Sequence, residues 1–383
     1  MIFRILEDQF AEKNQAAKAA DRRFMALALA LGRRGQGRTW PNPAVGAVIV
    51  KEGVIVGRGW TQAGGRPHAE VEALARAGEA ARGATLYVTL EPCSHFGKSP
   101  PCADAVVAAG VARVVSAVED PNPEVAGQGH ARLRAAGIAV EVGLCAQEAG
   151  RDHAGHFRRI RDQRPHVILK LAVSADDRIA AAGRRQVAIT GEAARARVHL
   201  LRAQCDAVLV GIGTVLADDP LLTCRLPGME ERSPVRVVLD RSLRIPGGSR
   251  LVHSARQRPL WAMTSDLAEA PAAMKLGAAG AQVIRVATAA GSPGLDLNAV
   301  LHALAERGIT RLLVEGGSRV ASAFVAADLA DEIWLLRGPE EIGADGVPAL
   351  DALPLDAIAA SPRLKLRASE MLGNDTLTIY ERA

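Results

Sequence analysis

A regular alternation of strand and helix patterns in the first half of the chain constrains the fold most. β-Branched and apolar runs at 85–90, 113–118 and 138–142 predict three strands. Between them, 102–109 and 130–136 predict helices, each followed by a glycine. Strands that are joined through helices run in the same direction, so this order predicts a parallel sheet covered by helices.

The region before this alternation predicts a helix and a hairpin. An apolar helical pattern runs from Asp21 to Leu31, and Asp21 is a candidate N-cap. Residues 1–20 form a polar, alanine-rich extension ahead of it. The apolar runs 45–50 and 54–57 flank a Glu-Gly pair and predict two antiparallel strands.

Five arginines crowd into residues 151–164, where apolar residues are few, and we place a domain boundary there. Beyond it, strand and helix patterns alternate again, which predicts a second α/β domain. Its predicted strands are 166–173, 207–210, 236–239, 260–263, 283–286, 311–314, 332–336 and 376–380, and its predicted helices are 192–203, 297–307 and 318–326. The predicted organisation is an N-terminal extension at 1–20, a first domain at 21–163 and a second at 164–383.

Composition argues against several classes of protein. Aromatic residues make up 3% of the 383 residues, few for a protein that stacks the bases of single-stranded nucleic acid. The net charge is +5, and the sequence has no block of basic residues. Such a charge distribution is typical of a solvated surface and also suits small phosphorylated ligands. No apolar run reaches the ~18 residues of a membrane span, and no secretory signal is visible. Five scattered cysteines do not resemble a disulfide framework, so we expect a cytoplasmic protein.

Cys93 and Cys102 are the cysteines that lie close together, and His68 precedes them at a predicted helix start. One imidazole and two thiolates can hold a tetrahedral Zn²⁺ with the fourth position open for water, whose pKa zinc lowers from ~16 toward ~7. Glu70, two residues from His68, can face the open position and move protons without binding metal. These four residues predict a zinc-dependent deaminase.

The spacing of the cysteines differs from the general signature of zinc nucleobase deaminases. That signature is His-x-Glu followed by Pro-Cys-x-x-Cys, whereas eight residues separate Cys93 from Cys102 here. Each ligand taken alone would more readily be an ordinary buried histidine or thiol. The complete set, in this order and at strand and helix ends, favours zinc.

Three features of the second half suggest anionic ligands. The segment 314–318 combines a strand end, two glycines and a helix start, whose free N–H groups suit a phosphate. A second glycine-containing turn at 211–214 leads to Asp218. Arg202 ends a predicted helix, and Arg225 follows the sequence Asp-Pro-Leu-Leu-Thr. Each feature alone also fits an ordinary turn or a surface charge.

Four motifs, in this order, resemble the bifunctional riboflavin-biosynthesis deaminase/reductase family. They are Pro41-Asn42-Pro43-Ala44-Val45-Gly46, His68-Ala69-Glu70-Val71, the whole segment from Leu90 to Cys102, and Asp120-Pro121-Asn122-Pro123. The resemblance implies a cytidine-deaminase-like three-layer α/β domain with the zinc ligands and proton shuttle named above. The implied substrate is a phosphorylated pyrimidine, a ribosylated diaminopyrimidine 5-phosphate. Asn42 and Lys98 would contact it, although a turn residue and a solvated loop charge are equally good interpretations.

The second half resembles the reductase part of that family, which is similar in fold to dihydrofolate reductase. The matching residues are Lys170-Leu171-Ala172, Ser174, Asp176, Arg178, Ile189-Thr190, Leu200-Leu201-Arg202-Ala203, Thr214, 217–223, Arg225, Val314-Glu315 and Gly317. The implied NADPH residues are Ala172, Thr214, Asp218, Gly317, Ser318, Arg319 and Val320, and the implied substrate residues are Arg202, Leu222, Arg225 and Glu315. The resemblance also implies hydride transfer from NADPH to the ribose carbon and homo-oligomers formed through this domain.

Three positions depart from the family's pattern. Asp177 stands where the family usually has glycine, and a usual Ser and Trp are missing near Gln186 and Ala188. Loss of the Trp removes a packing surface beside the cofactor. We therefore expect weaker NADPH binding than is typical of the family, but not its absence.

Alternative functions remain open at the level of the sequence. One is a deaminase of nucleic-acid bases with an unrelated C-terminal domain, and another is a deaminase whose reductase half is inactive. A third is a zinc protein without catalytic activity. Its closed metal site would need a fourth protein ligand, for which His95 is the obvious candidate.

Overall fold

The computed structural model describes residues 2–289, 291, 294–351 and 353–383. The chain divides into two compact units, Met1–Asp162 and Gln163–Ala383, and each unit has a sheet of its own. None of the helices in the described ranges combines the length and the hydropathy that crossing a bilayer requires.

The first unit is built around a mixed sheet. Its strands are β1 (Gly46–Lys51), β2 (Val54–Trp60), β3 (Thr85–Val88), β4 (Arg113–Ser116) and β5 (Ala139–Val142), and its helices are α1 (Ile2–Arg33), α2 (Ala69–Ala77), α3 (Cys102–Ala108), α4 (Gln128–Ala135), α5 (Ala146–Asp152) and α6 (Ala154–Asp162). The sheet order is β2-β1-β3-β4-β5. β1 pairs antiparallel with β2 and β3, and β3, β4 and β5 are parallel. The predicted hairpin and the predicted parallel strands are confirmed.

Alternate residues of the central strands face two separate cores, because side chains of a strand point to opposite faces in turn. Ile49 and Leu86 pack with side chains of α2, α3 and α4 on one face. Val48 and Tyr87 pack with side chains of α1 and α5 on the other face. Helices therefore cover the sheet on both sides, in three layers, which explains the nearly continuous apolar runs of the strands.

Helix α1 begins at Ile2, so the prediction that Asp21 caps its start is wrong. The alanine-rich residues before Asp21 have high helix propensity and continue the helix toward the N-terminus. The carboxylate of Asp21 instead accepts hydrogen bonds from the Tyr87 hydroxyl and from Arg113 Nη1 and Nη2, the latter two at 3.1 and 2.7 Å. Asp21 thus fastens the helix to the sheet.

The second unit is built around a larger sheet. Its strands are β6 (His166–Val173), β7 (Arg178–Ala180), β8 (Ala207–Gly211), β9 (Val235–Leu239), β10 (Leu260–Thr264), β11 (Gln282–Arg285), β12 (Arg311–Val314), β13 (Glu332–Arg337), β14 (Val347–Pro348), β15 (Leu364–Leu372) and β16 (Asp375–Arg382). Its helices are α7 (Glu192–Gln204), α8 (Ile212–Asp218), α9 (Arg250–His253), α10 (Ala270–Ala278), α11 (Leu297–Glu306) and α12 (Ser318–Ala326). The sheet order is β11-β10-β9-β8-β12-β6-β13-β16-β15, and β7 pairs with β14 apart from it.

The direction of these strands brings the ends of the central strands together. From β11 to β13 all neighbouring strands are parallel, whereas β16 and β15 are antiparallel. Strands β8, β12 and β6 are neighbours at the centre of the sheet and run in the same direction, so their carboxyl ends lie side by side. In open α/β sheets, ligands bind at the carboxyl ends of the strands.

Strand β15 and helix α10 are elements that the sequence patterns do not predict. β15 lies at the edge of the sheet and exposes Leu366 and Met371, so its apolar residues do not mark a buried face. Among the described residues of α10, Leu276 is the one that is buried. The helix therefore has little of the apolar periodicity by which a helix is recognised in a sequence.

Candidate active sites

His68, Cys93 and Cys102 converge in the first unit, although three segments supply them. His68 is the N-cap residue of α2, Cys93 follows β3, and Cys102 opens α3. His68 Nδ1 lies 3.3 Å from Cys102 Sγ and 3.7 Å from Cys93 Sγ. Two atoms that bind one tetrahedral Zn²⁺ at about 2.1–2.3 Å stand roughly 3.6 Å apart, so this donor set fits zinc.

The two thiols at this site ionise with different ease. Hydrogen bonds from Cys102 and from His68 lower the pKa of Cys93, and burial opposes them. The interaction with Cys93, together with burial, raises the pKa of Cys102. One sulfur therefore carries negative charge readily, and a divalent cation between the two would displace the proton that they share.

Glu70 lies on the first turn of α2, and its side chain is buried with 3% exposure. Burial raises the pKa of Glu70 to about 7, although the charge of His68 opposes the rise. A carboxyl group in this range can both take up and release a proton near neutral pH, which general acid–base chemistry requires.

Glu91 is an organising residue of this site that the sequence analysis misses. Its buried carboxylate accepts hydrogen bonds from the backbone N–H groups of Asp120, Gly127 and His130 at 3.2, 3.0 and 3.1 Å. Because Glu91 stands two residues before Cys93, these bonds fix the segment that carries Cys93, the first of the two predicted sulfur ligands. The motif around Cys93 contains Glu91, but its partners are about 30–40 residues away in sequence.

The structure places the two predicted substrate residues of the first unit in different surroundings. Asn42 Nδ2 donates to the carbonyl of Gly65 at 3.2 Å. Gly65 has φ +85°, and a Cβ there would lie 2.0 Å from that nitrogen, so only glycine suits this contact. Asn42 thereby braces the loop that leads to His68. Lys98 is exposed on the loop between the two cysteines.

The predicted NADPH residues all line one cavity of the second unit, with a volume of about 1080 Å³. The lining includes Ala172, Thr214, Asp218, Gly317, Ser318, Arg319 and Val320. Ala172 belongs to β6, Thr214 lies in α8 after β8, and Gly317 follows β12. The three adjacent parallel strands therefore bring together residues that are up to about 150 positions apart.

The cavity has features that fit a dinucleotide phosphate. Helix α12 starts at its wall, and Gly317 at the N-cap position supplies no side-chain capping bond, so the first N–H groups are open to an anion. A Cβ at Gly316 would lie 2.4 Å from Val320, which shows how closely the turn approaches the helix. The volume exceeds the upper end of the roughly 300–1,000 Å³ of pockets for drug-sized ligands.

Three cations of the cavity lining are not assigned by the sequence analysis: Lys170, Arg241 and Arg244. Lys170 lies in β6, and the two arginines follow β9. The buried carboxylate of Asp240 accepts from the Ile245 N–H at 2.8 Å and so holds the turn that presents them. Their position after a strand of the parallel sheet is the signal that could have identified them.

Arg202 and Glu315 form a bidentate ion pair, with Nε–Oε1 and Nη2–Oε2 distances of 2.6 and 2.8 Å. Arg202 Nη1 also donates to the Thr223 carbonyl at 3.1 Å. Burial would raise the pKa of Glu315, but the charge and hydrogen bonds of Arg202 lower it to about 2. Among the residues that the structure describes, three of the five N–H groups of Arg202 are therefore engaged, which leaves two for a ligand.

Arg225 is exposed, whereas Leu222 is buried with φ +55°. Burial and the charges of Arg202 and Arg250 lower the pKa of Arg225, so these guanidinium groups lie near one another. Within the described ranges, none of the four predicted substrate residues lines the cavity. Lys170 lies between the cavity and the predicted substrate residues. It lines the cavity, and its pKa, which burial lowers, also responds to the charges of Glu315 and Arg202.

The three positions that depart from the family's pattern are not equivalent. Gln186 lines the cavity, whereas Asp177 and Ala188 are absent from its described lining. Asp177 has φ +65°, a conformation that glycine adopts freely and aspartate tolerates. It also forms an ion pair with Arg337 at 2.5 Å. The missing glycine is therefore accommodated by the backbone.

Comparison with known proteins assigns both halves of the chain. Residues 18–118 match the family model of the cytidine and deoxycytidylate deaminase zinc-binding region, and residues 165–378 match the RibD C-terminal domain. The chain is 41% identical to riboflavin biosynthesis protein RibD of Aquifex aeolicus over 362 residues, which are 94% of this chain and 98% of that protein. It is 42% identical to the RibD protein of Escherichia coli strain K12, covering 93% and 97% of the two chains.

Two solved structures share the fold of the whole chain. RibD of Acinetobacter baumannii has a TM-score of 0.84 at 36% identity, covering 96% of this chain and 99% of its own. The second is a diaminohydroxyphosphoribosylaminopyrimidine deaminase/5-amino-6-(5-phosphoribosylamino)uracil reductase of Thermotoga maritima. It has a TM-score of 0.83 at 35% identity, covering 96% and 100% of the two chains.

Fold, sites and matches define a bifunctional enzyme in which a zinc-binding deaminase domain is joined to a reductase domain. The predicted fold class is confirmed. The chain belongs to the RibD family of riboflavin biosynthesis proteins. It is a deaminase and reductase of riboflavin biosynthesis, with Zn²⁺ and NADPH as its cofactors.

The alternative functions are not favoured. A nucleic-acid deaminase with an unrelated C-terminal domain is inconsistent with the match of residues 165–378. The cluster of metal-binding side chains at His68, in the part of the chain that is described, has three members and does not include His95. A closed structural zinc site therefore lacks its fourth ligand there. The cavity retains the implied NADPH residues, which argues against an inactive reductase half.

Proposed function

We propose that the first domain, 21–163, deaminates a ribosylated diaminopyrimidine 5-phosphate on its ring. The second domain, 164–383, then reduces the ribosyl chain of the product to a ribityl chain. The observation that carries this proposal is the presence in one chain of a His-Cys-Cys cluster beside a buried glutamate and of a dinucleotide-sized cavity. The name of the Thermotoga maritima relative, a diaminohydroxyphosphoribosylaminopyrimidine deaminase and 5-amino-6-(5-phosphoribosylamino)uracil reductase, supports this choice of substrates.

Incubation with the diaminopyrimidine substrate, with and without NADPH, tests the proposal. Without NADPH, mass spectrometry should show a product in which oxygen replaces an amino group. With NADPH, a second product should carry two additional hydrogen atoms. A chain that leaves the substrate unchanged under both conditions would refute the proposal.

In the deaminase step we assign the zinc ligands to His68, Cys93 and Cys102. When bound, zinc supplies a water nucleophile at neutral pH. Glu70 would take one proton from that water and pass it to the ring nitrogen, and would then take the second proton from the added oxygen and pass it to the amino group, which leaves as ammonia. Its burial keeps competing water away from these transfers. Asn42 and Lys98 contact the substrate.

In the reductase step the cavity holds the cofactor against the ribose. When bound, NADPH supplies the hydride that reduces the sugar carbon. The N–H groups at the start of α12 and Thr214 bind the cofactor, and Ala172 and Asp218 complete its site. Arg202 orients Glu315 through their two hydrogen bonds, and both face the substrate together with Leu222. Arg225 binds the phosphate of the substrate.

Arg225→Ala should raise the substrate KM of the reductase step by about tenfold to 150-fold, because a hydrogen bond to a charged group contributes about 1.5–3 kcal/mol. The KM for NADPH should change much less. Steady-state kinetics with pre-deaminated substrate measure both constants. Equal increases in the two constants would show that Arg225 does not bind the substrate phosphate.

NADPH should bind this chain measurably, although more weakly than is typical of the family. The missing Trp near Ala188 removes packing surface, but the contacts from Thr214, Asp218 and Gly317 do not depend on that ring. Isothermal titration calorimetry with NADPH measures the affinity. Absence of binding at millimolar NADPH would contradict the reductase assignment.

We also propose that the protein forms homo-oligomers through the reductase domain. β15 is an edge strand of nine residues, and Leu366 and Met371 on it are 61% and 64% exposed. A long edge strand with apolar side chains can pair with another chain. Sedimentation of the wild type and of a Leu366→Lys variant tests this proposal, since the variant should dissociate.

A cytoplasmic location and small-molecule ligands, rather than nucleic acid or membrane partners, complete the proposal. All five cysteines of the chain are free thiols in the structure, as is usual in a reducing compartment. Fractionation of cells that produce the protein tests its location and its separation from membranes. Detection of nucleic acid in the purified protein tests whether nucleic acid is a partner.

A further inference from the structure

Glu91, Glu119 and His130 form a second group of potential metal ligands in the first unit. One ligand atom from each residue lies within 4.8 Å of the others. Glu91 precedes Cys93, Glu119 follows β4, and His130 lies in α4. A Cβ at Gly127 would lie 3.5 Å from Glu119 Oε2, and the N–H of Gly127 donates to Glu91 Oε2. Both carboxylates therefore lie beside Gly127.

The imidazole of His130 is buried and lacks a hydrogen bond. Its side chain is 2% exposed, and Nδ1 lies 3.7 Å from Glu91 Oε1, which is too far for a hydrogen bond. Within the described part of the chain, Nε2 has no hydrogen-bond partner either. Because buried polar groups normally have a partner, an unpaired imidazole that faces a carboxylate indicates that the ring binds a ligand.

The surroundings of His130 favour the neutral form of the ring. Burial lowers the pKa of His130, and the positive charge of Arg134 acts in the same direction. The negative charges of Glu91 and Glu119 oppose this effect, as expected for carboxylates beside the ring. A neutral imidazole is the form that binds a metal ion.

The two carboxylates supply the negative charge that a cation needs. Among the described residues, neither Glu91 nor Glu119 forms an ion pair with a lysine or an arginine. Backbone N–H groups occupy three of the roughly four lone-pair positions of Glu91, and the remaining one is on Oε1, which faces His130. Glu119 is exposed, so a cation can reach these residues from solvent.

We propose that Glu91, Glu119 and His130 bind a divalent transition-metal cation of the Mn²⁺ class, at a site separate from the zinc ligands at His68. Carboxylate ligands suit Mn²⁺, and imidazole is the commonest metal ligand among side chains. The site contains no thiolate, the soft ligand that selects zinc. The bound cation links Glu91 to α4 and to the segment after β4, and it thereby stabilises the segment that carries Cys93.

Electron paramagnetic resonance of the zinc-loaded protein with added Mn²⁺ tests the proposal, because the sharp signal of free Mn²⁺ is lost on binding. The wild type should bind about one Mn²⁺ per chain. It should keep its zinc, which metal analysis measures. Glu119→Gln and His130→Gln should each weaken Mn²⁺ binding at least about tenfold, since even the partners of metal ligands contribute about 10–100-fold to affinity.

Glu124→Gln is the matched control, because it removes an exposed carboxylate that lies close to Glu119 in sequence but outside the group of ligands. It should bind Mn²⁺ as tightly as the wild type. Mn²⁺ should also raise the melting temperature of the wild type and of Glu124→Gln, but not that of Glu119→Gln, because a cation that binds only the folded state stabilises it.

A wild-type protein that leaves the signal of millimolar Mn²⁺ unchanged would overturn the proposal. Undiminished binding by Glu119→Gln would also overturn it, by placing the cation elsewhere. Glu119→Gln decides the matter even if His130→Gln fails to fold, since the Glu119 side chain is exposed. Deaminase turnover of Glu119→Gln without Mn²⁺ should equal that of the wild type, so failure of this site and failure of the proposed function are separate results.

Discussion

Glu70→Gln should retain zinc and lose deaminase turnover by about 10²–10⁴-fold, the usual contribution of a general acid–base group. The amide has nearly the shape of the carboxyl, so it fits the same buried position at the start of α2. It cannot accept a proton from the attacking water or return one to the leaving ammonia. Ammonia release under saturating substrate measures the loss, and metal analysis confirms that zinc is present.

Glu72→Gln is the matched control for this variant. Glu72 lies on the same helix and forms an ion pair with Arg76 at 2.9 Å on the surface, so its loss should leave turnover close to that of the wild type. The reductase step of Glu70→Gln, assayed with pre-deaminated substrate, should also be unchanged. Near-normal deamination by Glu70→Gln would refute the role of Glu70 as the proton shuttle.

Cys102→Ser should lose most of the bound zinc, which we expect at about one ion per chain in the wild type. A hydroxyl group is a harder and far less acidic donor than a thiol, so it cannot replace the thiolate that zinc stabilises. Deaminase activity should fall with the zinc content. Inductively coupled plasma mass spectrometry of the purified protein measures the loss.

Cys145→Ser provides the control for Cys102→Ser, because Cys145 lies in the same unit at the start of α5, outside the His-Cys-Cys cluster. Its zinc content should equal that of the wild type. Circular dichroism of Cys102→Ser distinguishes loss of metal from loss of fold. A folded Cys102→Ser protein that retains its full zinc content would show that the ligand assignment is wrong.

The sequence alone predicted the main strands and singled out His68, Cys93 and Cys102, which the structure brings together, while their role as zinc ligands stays a prediction. His68, Glu70, Cys93 and Cys102 lie in short motifs at strand and helix ends, where local patterns are most reliable. The parallel strands of the first unit were predictable because strand and helix patterns alternate along that part of the chain. The NADPH residues were predicted by resemblance to a family, and the grouping of these residues around one cavity became visible only in the structure.

Only the tertiary structure decided the roles of residues whose partners are distant in sequence. Asp21 matched the pattern of a helix cap, but its carboxylate binds Arg113, which lies 92 residues later. Glu91 lies inside a recognised motif, but its hydrogen bonds reach the loop from Asp120 to His130. Hydrophobic periodicity and local motifs describe neighbours along the chain, whereas a buried polar group is defined by the partners that satisfy it after folding.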